Sequence, residues 1–188
     1  NVEADEALVL EDSPNGILAA KAAGVRVVAV PNRLTSQLDM PAADLALSTL
    51  ADLPLKDLLL RFNVRVRQEL PDDIPGIRQV NRSAFPGEGE ATLVDLIRDR
   101  GKAILSLVAV DGERIIAHAL FSAVTLEPAA DGLRGLGLGP VAVLPEMQGR
   151  GFGSMVIEAG LNICRQRGYD FIVLLGEPRY YARFGFIP

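Results

Sequence analysis

Apolar runs dominate the first part of the chain. Residues 7–10 are apolar, residues 25–30 are apolar and mostly β-branched apart from Arg26, and an alanine-rich segment at 17–23 lies between them and ends at a glycine. The order of strand, loop, helix and strand predicts a parallel βαβ unit. Strands of a parallel sheet are buried on both faces, so their side chains need not alternate. A weaker strand is predicted at 44–47 and a short helix at 55–60.

The pattern changes after the first third of the chain. Residues 64–67 alternate apolar and charged side chains, as a half-exposed strand does. Helices are predicted over 71–84 and 90–100, and the Pro- and Gly-bearing loop at 85–89 connects them. The boundary between the two parts of the chain is therefore expected within residues 56–63.

Two further strands and a split strand follow. Residues 105–110 and 114–124 are apolar strands joined by an Asp-Gly turn, which is a strong hairpin signal. After a polar loop at 127–132, residues 136–144 form an apolar strand that contains two glycines and a proline. Glycine and proline inside a strand usually mark a bulge or a split.

Composition and charge exclude several classes of protein. The 188 residues are 49% hydrophobic and 23% charged, which is typical of globular protein. A net charge of -5 argues against a nonspecific nucleic-acid partner. No apolar run reaches the roughly 18 residues of a membrane span, and no signal peptide is visible. The single cysteine, Cys164, allows no intrachain disulfide and fits a reducing, cytoplasmic compartment.

A glycine-rich loop separates the strand at 136–144 from a long helix that reaches about residue 168. Its sequence, QGRGFG from Gln148 to Gly153, has three glycines that uncover the backbone and permit positive φ. The first N–H groups of a helix lack internal partners and lie at the positive end of its dipole. The loop therefore predicts an anion site to which Arg150 adds a charge-assisted contact. A turn without a ligand is the alternative, and the spacing differs from the dinucleotide fingerprint G-x-G-x-x-G.

Two motifs follow one another in residues 64–188, the segment 139–145 with 148–153 and the segment YYARFGF at 180–186. They resemble the acyl-CoA motif and the tail of the same signature in the GNAT superfamily of N-acyltransferases. The Gly-Glu-Pro segment at 176–178 is similar to the segment before the tyrosines in the YhbS-like subgroup of this family. The resemblance implies a mixed α/β acyltransferase fold. It also implies transfer of an acetyl or other acyl group from acyl-CoA to a primary amine by direct attack.

Acetyl-CoA is the co-substrate that this resemblance implies. Backbone N–H groups of the glycine-rich segment would bind its pyrophosphate, and the pantetheine arm would lie beside the preceding strand like an added strand. The implied contacts are Val141, Ala142 and Val143 for pantetheine, and Gln148, Gly149, Arg150, Gly151, Phe152, Gly153 and Ser154 for pyrophosphate.

The resemblance also implies which residues move protons. In the family a tyrosine on the short helix supplies a proton to the departing thiolate, and Tyr181 matches that position, with Tyr180 as the weaker candidate. The amine must lose a proton before it attacks. Glu88 and Glu90 are the candidates for this step, although Glu90 also suits a helix start. His118 is interpreted as a packed or edge residue of a strand.

Residues 8–16 and 19–25 resemble the last motif of haloacid-dehalogenase-like (HAD) phosphatases. The resemblance implies that residues 1–58 are the C-terminal part of a HAD Rossmann-like parallel sheet, followed by a GNAT domain at 63–188. Glu11 and Asp12 match the two acids that help to hold Mg²⁺ in that family, and oxygen ligands suit this ion. A capped βα turn without metal is the alternative.

The nucleophilic aspartate and the lysine of HAD enzymes lie upstream of this motif and have no counterpart here. No phosphatase activity is therefore expected from this sequence. Binding of Mg²⁺ is expected only in a complete HAD domain. The ends at Asn1 and Pro188 are interpreted as cuts through a longer fusion protein, with the GNAT part truncated. A CoA-binding module without turnover and a HAD phosphatase with an accessory half remain alternatives. The acceptor amine and a homodimer are left open.

Overall fold

Two compact units make up the chain, residues 1–58 and residues 59–188. The computed structural model describes residues 2–40, 42–125 and 132–188. The polar loop predicted at 127–132 lies outside the described residues except for Gly132.

The first unit is a small parallel sheet with one helix. Its strands lie side by side in the order β1-β2-β3, and both neighbouring pairs are parallel. The hydroxyl of Ser13 accepts a hydrogen bond of 3.1 Å from the N–H of Gly16, so it caps the helix that Pro14 begins. The predicted βαβ order is confirmed. The bounds are β1 Leu8–Glu11, α1 Pro14–Ala22, β2 Arg26–Ala29 and β3 Leu45–Ala46.

The second unit contains a five-stranded mixed sheet in the order β4-β5-β6-β7-β8. The first three neighbouring pairs are antiparallel, and β7 pairs with β8 in parallel. The predicted Asp-Gly hairpin joins β5 to β6, as expected. The bounds are β4 Arg65–Gln68, β5 Ala103–Asp111, β6 Arg114–Ala123, β7 Gly135–Val143 and β8 Phe171–Leu174.

Helices cover the sheet because its central strand is buried along almost its whole length. Residues 115–121 of β6 are all buried, which requires packing on both faces. The α5 helix packs closely on β6 because Gly160 leaves room for the ring of Phe121. The helix bounds are α2 Leu55–Asn63, α3 Ile74–Ala84, α4 Gly89–Asp99, α5 Phe152–Gln166 and α6 Pro178–Tyr181.

Short 3-10 turns precede or extend these elements at 71–73, 145–147 and 182–184. The helix predicted over 71–84 therefore begins as a 3-10 turn, and the short helix α6 continues into another at 182–184. Within residues 2–40, 42–125 and 132–188, none of the helices has both the length and the apolar character that crossing a bilayer requires.

Candidate functional site

The strands β7 and β8 separate halfway along β7. Residues Gly135–Leu138 pair with Phe171–Leu174, and β7 then continues to Val143 beside β6 alone. A bulge lies at the point of separation. Between the pairs Ala119–Val141 and Phe121–Leu138, one residue of β6 faces two residues of β7, Gly139 and Pro140. The split that the sequence predicts in this strand is confirmed.

The split exposes an edge of β7 with hydrogen-bonding groups. The N–H of Leu144 donates to the carbonyl oxygen of Ile116 at 3.0 Å. Partners alternate along an antiparallel strand, so the N–H and C=O groups of Val141 and Val143 point away from β6. They face the side on which β8 has already ended its pairing. An extended, amide-containing molecule fits this edge as an additional strand.

The glycine-rich loop turns the chain from this edge into α5. Gly149 and Gly151 have φ values of 74° and 87°, in the left-handed region that favours glycine. Gly151 occupies the N-cap of α5, and its carbonyl oxygen accepts from the N–H of Met155 at 3.1 Å. The N–H groups of the first helical turn thus open outward, at the positive end of the helix dipole.

A cavity of about 340 Å³ lies at this helix start. Main-chain groups of the loop, the end of β7 and side chains of the short helix line this cavity. The side chain of Phe152 is almost fully buried in the core, so this residue offers its backbone. The cavity-lining residues are Val143, Met147, Gln148, Gly149, Gly151, Phe152, Gly153, Ser154, Tyr180 and Arg183.

The loop is tied to β7 through a side chain. Nε2 of Gln148 donates a hydrogen bond of 3.1 Å to the carbonyl oxygen of Val143. One end of this bond lies in the loop and the other on the open strand edge. The side chain of Gln148 therefore fixes the spacing between the two parts of the site, a role that the sequence pattern alone does not reveal.

The two tyrosines of α6 point to different places. A Cβ added to Gly153 would lie 3.2 Å from the hydroxyl of Tyr180, which places this hydroxyl at the start of α5. The ring of Tyr181 instead packs against Gly176 and Phe186, beside the end of β8. Burial, with a smaller contribution from Tyr180, raises the pKa of the Tyr181 phenol. Tyr181 thus holds its proton at neutral pH.

Arg183 is a cavity residue that the sequence analysis did not single out. Its Nε donates to the carbonyl oxygen of Tyr180 at 2.9 Å, and its guanidinium lies 4.5 Å from the centroid of the Tyr180 ring. The interaction holds a cation beside the α5 start. The signature YYARFGF contains this arginine, so its sequence position could have suggested it.

The two predicted carboxylates lie outside the cavity. Glu88 forms ion pairs with Arg82 at 2.6 Å and with Arg78 at 3.4 Å. Glu90 is half-buried in the first turn of α4. The structure therefore does not bring either residue together with the glycine-rich loop.

A buried polar chain lies under α3 and α4. His118 is fully buried, and its Nδ1 accepts a hydrogen bond of 3.1 Å from Nδ2 of Asn81. Its Nε2 then donates to the hydroxyl of Ser106 at 3.0 Å, and Ser106 donates to Glu69. Burial is the main cause that lowers the pKa of His118 to about 4. The prediction of a packed histidine is confirmed.

Arg98 is the last residue of this hydrogen-bonded series and binds Glu69 near the surface. It forms two hydrogen bonds to the Glu69 carboxylate, at 2.9 and 3.0 Å. Burial would raise the pKa of Glu69, but the hydrogen bonds from Arg98 and Ser106 outweigh burial and leave it lowered.

In the first unit, Glu11 and Asp12 are adjacent but have different partners. The Glu11 carboxylate accepts from the Ser13 hydroxyl at 3.1 Å and lies against Gly16, at the start of α1. Asp12 accepts from the side-chain amide of Asn32. Within the described ranges, no group of three or more His, Cys, Asp or Glu side chains could hold a metal. Mg²⁺ takes six oxygen ligands, of which several are usually waters and one or two are carboxylates, so Glu11 and Asp12 alone would supply only part of its coordination.

The chain belongs to the GNAT acetyltransferase family. The sequence profile of the acetyltransferase (GNAT) domain matches residues 65–188. The family consists of transferases, and its mixed α/β fold is the fold of the second unit.

Individual relatives agree with this assignment. The Uncharacterized N-acetyltransferase YhbS of Escherichia coli K12 is 37% identical over 122 residues, which cover 64% of this chain and 72% of YhbS. The crystal structure of E. coli YhbS in complex with CoA gives a TM-score of 0.63 at 36% identity and covers 66% of this chain and 69% of that one. The crystal structure of a GNAT family acetyltransferase from Brucella melitensis in complex with acetyl-CoA gives a TM-score of 0.63 at 39% identity. The match covers 66% of this chain and 83% of that one.

The first unit has a shorter match. YhcW of Bacillus subtilis, described as a candidate phosphatase, is 43% identical over 58 residues, which cover 31% of this chain and 26% of YhcW. This share is too small to assign residues 1–58 to the HAD family or to its Rossmann-like sheet.

Proposed function

We propose that residues 59–188 transfer an acetyl group from acetyl-CoA to a primary amine. The observation that carries the proposal is the junction of an open β7 edge with the exposed start of α5. Both parts face one cavity, and Gly149 and Gly151 hold the connecting loop in left-handed backbone geometry. The related structures from E. coli and B. melitensis contain CoA and acetyl-CoA, which supports the choice of co-substrate.

The N–H groups between Gly151 and Ser154 bind the pyrophosphate, because they combine unpaired donors with a positive helix end. Gln148 positions this loop through its bond to Val143, and Gly149 and Arg150 complete the turn. The N–H and C=O groups of Val141 and the N–H of Val143 bind the amides of the pantetheine arm as an added strand would, while the C=O of Val143 accepts from Gln148. Ala142, whose backbone faces β6, holds this edge in place.

In the chemical step, the nitrogen of a neutral amine attacks the thioester carbonyl carbon. The C–N bond forms, and the C–S bond of the tetrahedral intermediate then breaks. Tyr181 donates its proton to the departing thiolate and regains one from solvent. The nitrogen loses its extra proton to a base. Of the two candidate carboxylates, Glu90 is preferred, since two arginines hold Glu88.

We propose that residues 1–58 form the C-terminal part of a HAD-like domain. Glu11 and Asp12 would help to bind Mg²⁺ in the complete domain of a longer protein. The similarity to YhcW and the acids at the end of β1 support this proposal. No catalytic step is assigned to these residues.

Two measurements test the transferase proposal. Calorimetric titration with acetyl-CoA should show saturable binding at one site, and a thiol-release assay with a panel of primary amines should then show turnover. Binding without thiol release for any amine would indicate a CoA-binding module. An absence of binding would refute the proposed site itself.

A further inference from the structure

Arg61 places a cation against the glycine-rich loop from outside the matched family domain. It lies on α2, four residues before the segment 65–188. A Cβ added to Gly151 would lie 3.2 Å from Cζ of Arg61 and would collide with its Nη1. The guanidinium therefore rests directly on the backbone of the α5 N-cap.

The packing of α2 holds Arg61 in this position. Leu60, the preceding residue, packs against the core of the second unit. Arg61 itself is half-buried, and burial is the main cause that lowers the pKa of its guanidinium. A side chain with this much lost solvation is held at the loop rather than extended into water.

This arrangement is electrostatically unfavourable in the absence of an anion. The start of a helix carries a partial positive charge, and a cation placed there is repelled. The described partner of opposite charge is Glu158, which is exposed on α5 and acts on Arg61 through its field. An anion at the start of α5 would satisfy both the helix N–H groups and the guanidinium.

We infer that Arg61 is a binding residue for the diphosphate of acetyl-CoA. The inference rests on the proposed function and extends it to a residue of α2. The planar guanidinium can donate to two phosphate oxygens at once, and it adds a full positive charge that the main-chain amides lack. When the diphosphate binds, the guanidinium of Arg61 interacts with the phosphate instead of with the carboxylate of Glu158. Glu158 therefore competes with the ligand for Arg61.

Calorimetry with two ligands tests the inference in the full chain. Arg61→Ala should weaken binding of acetyl-CoA by roughly tenfold, and acetyl-dephospho-CoA by the same factor, since both contain the diphosphate. Arg61→Lys should recover part of the loss, because it keeps the charge without the fork. Lys56→Ala, which removes an exposed cation from the same helix, should change neither affinity. Glu158→Gln should tighten binding of both ligands, because it removes the carboxylate that competes for Arg61.

The outcomes separate this inference from the proposed function. If Arg61→Ala binds both ligands as the wild type does, Arg61 is a structural residue and the inference is wrong, while the transferase site stands. If only acetyl-CoA loses affinity, Arg61 contacts the 3′-phosphate and the assignment to the diphosphate is wrong. If the wild type binds neither ligand, the proposed function is refuted before Arg61 is considered.

Discussion

Nε2 of Gln148 lies 3.1 Å from the carbonyl oxygen of Val143 and joins the glycine-rich loop to the end of β7. This hydrogen bond connects the loop to the strand edge across the short turn at 145–147. The bond thus sets the distance between the proposed pyrophosphate and pantetheine contacts.

Gln148→Ala should weaken acetyl-CoA binding several-fold with little loss of stability. A hydrogen bond at an exposed site contributes about 0.5–1.5 kcal/mol, so the melting temperature should fall only slightly. Calorimetry and thermal unfolding give the two quantities. Gln166→Ala, at the exposed far end of α5, is the control and should change neither. A large loss of stability with unchanged affinity would contradict the positioning role.

The three glycines of the loop should respond differently to alanine. Gly149→Ala and Gly151→Ala each force a side chain into left-handed geometry, at about 1–2 kcal/mol of strain. At Gly151 the new Cβ also collides with Arg61, whereas at Gly149 it meets open space. Gly151→Ala should therefore reduce acetyl-CoA affinity more than Gly149→Ala does. Equal affinities in a binding titration would show that the Gly151 environment is not part of the site.

Gly153→Ala tests the cavity without backbone strain. Its Cβ would lie 3.2 Å from the Tyr180 hydroxyl and 3.3 Å from Cγ2 of Val143. These contacts are tight but can adjust, so the fold should survive. We expect weaker acetyl-CoA binding, measured by calorimetry, with an unchanged melting temperature. Unaltered binding would place the ligand outside the cavity.

Steady-state kinetics of two variants distinguish the proposed roles of Tyr181 and Tyr180. Tyr181→Phe should lower kcat by roughly 10²–10⁴-fold with little change in the KM for acetyl-CoA, as expected for loss of a general acid. Tyr180→Phe should mainly raise that KM, because its hydroxyl lies at the start of α5. The reverse result, with kcat lost only in Tyr180→Phe, would show that Tyr180 is the acid.

His118 should make folding stability depend on pH between about 6.5 and 4. Its pKa is lowered to about 4 in the folded protein, so the unfolded chain binds more protons in this range. Stability is therefore lost as pH falls from 6.5 towards 4, by about 3 kcal/mol in total. Urea unfolding at pH 7, 6, 5 and 4.5 measures this slope.

His118→Gln provides the comparison, since its side chain stays neutral. The slope between pH 6.5 and about 5.5 should disappear in this variant. Glu69, whose pKa is lowered, contributes stability that is lost at lower pH, as a glutamate in the unfolded chain begins to bind protons, so it does not mask the effect in this window. An equal slope in both proteins would mean that another group titrates.

Much of the second unit follows from local sequence. The Asp-Gly turn predicts the β5–β6 hairpin, and Gly139-Pro140 predicts the bulge where β7 leaves β8. These features depend on backbone geometry that few residue types allow. The loop at Gly149 and Gly151 is predictable for the same reason.

Side-chain directions were less predictable. Consecutive residues on a helix differ by about 100° in direction, so a motif match to Tyr181 does not show where Tyr180 points. The contact between Arg61 and Gly151 joins residues far apart in sequence and leaves no local pattern. The predicted carboxylate Glu88 is engaged by arginines of the preceding helix, which only the packing of α3 against α4 reveals.

The proposed transferase site depends on main-chain amides at the start of α5 binding the diphosphate of acetyl-CoA. Two-dimensional ¹H–¹⁵N NMR during an acetyl-CoA titration observes these amides one by one. We expect the largest amide shift changes at Gly151, Phe152, Gly153 and Ser154, and S-acetylpantetheine, which lacks the diphosphate, should leave them nearly unchanged. Saturation by acetyl-CoA with these four amides unmoved would mean that the diphosphate binds elsewhere.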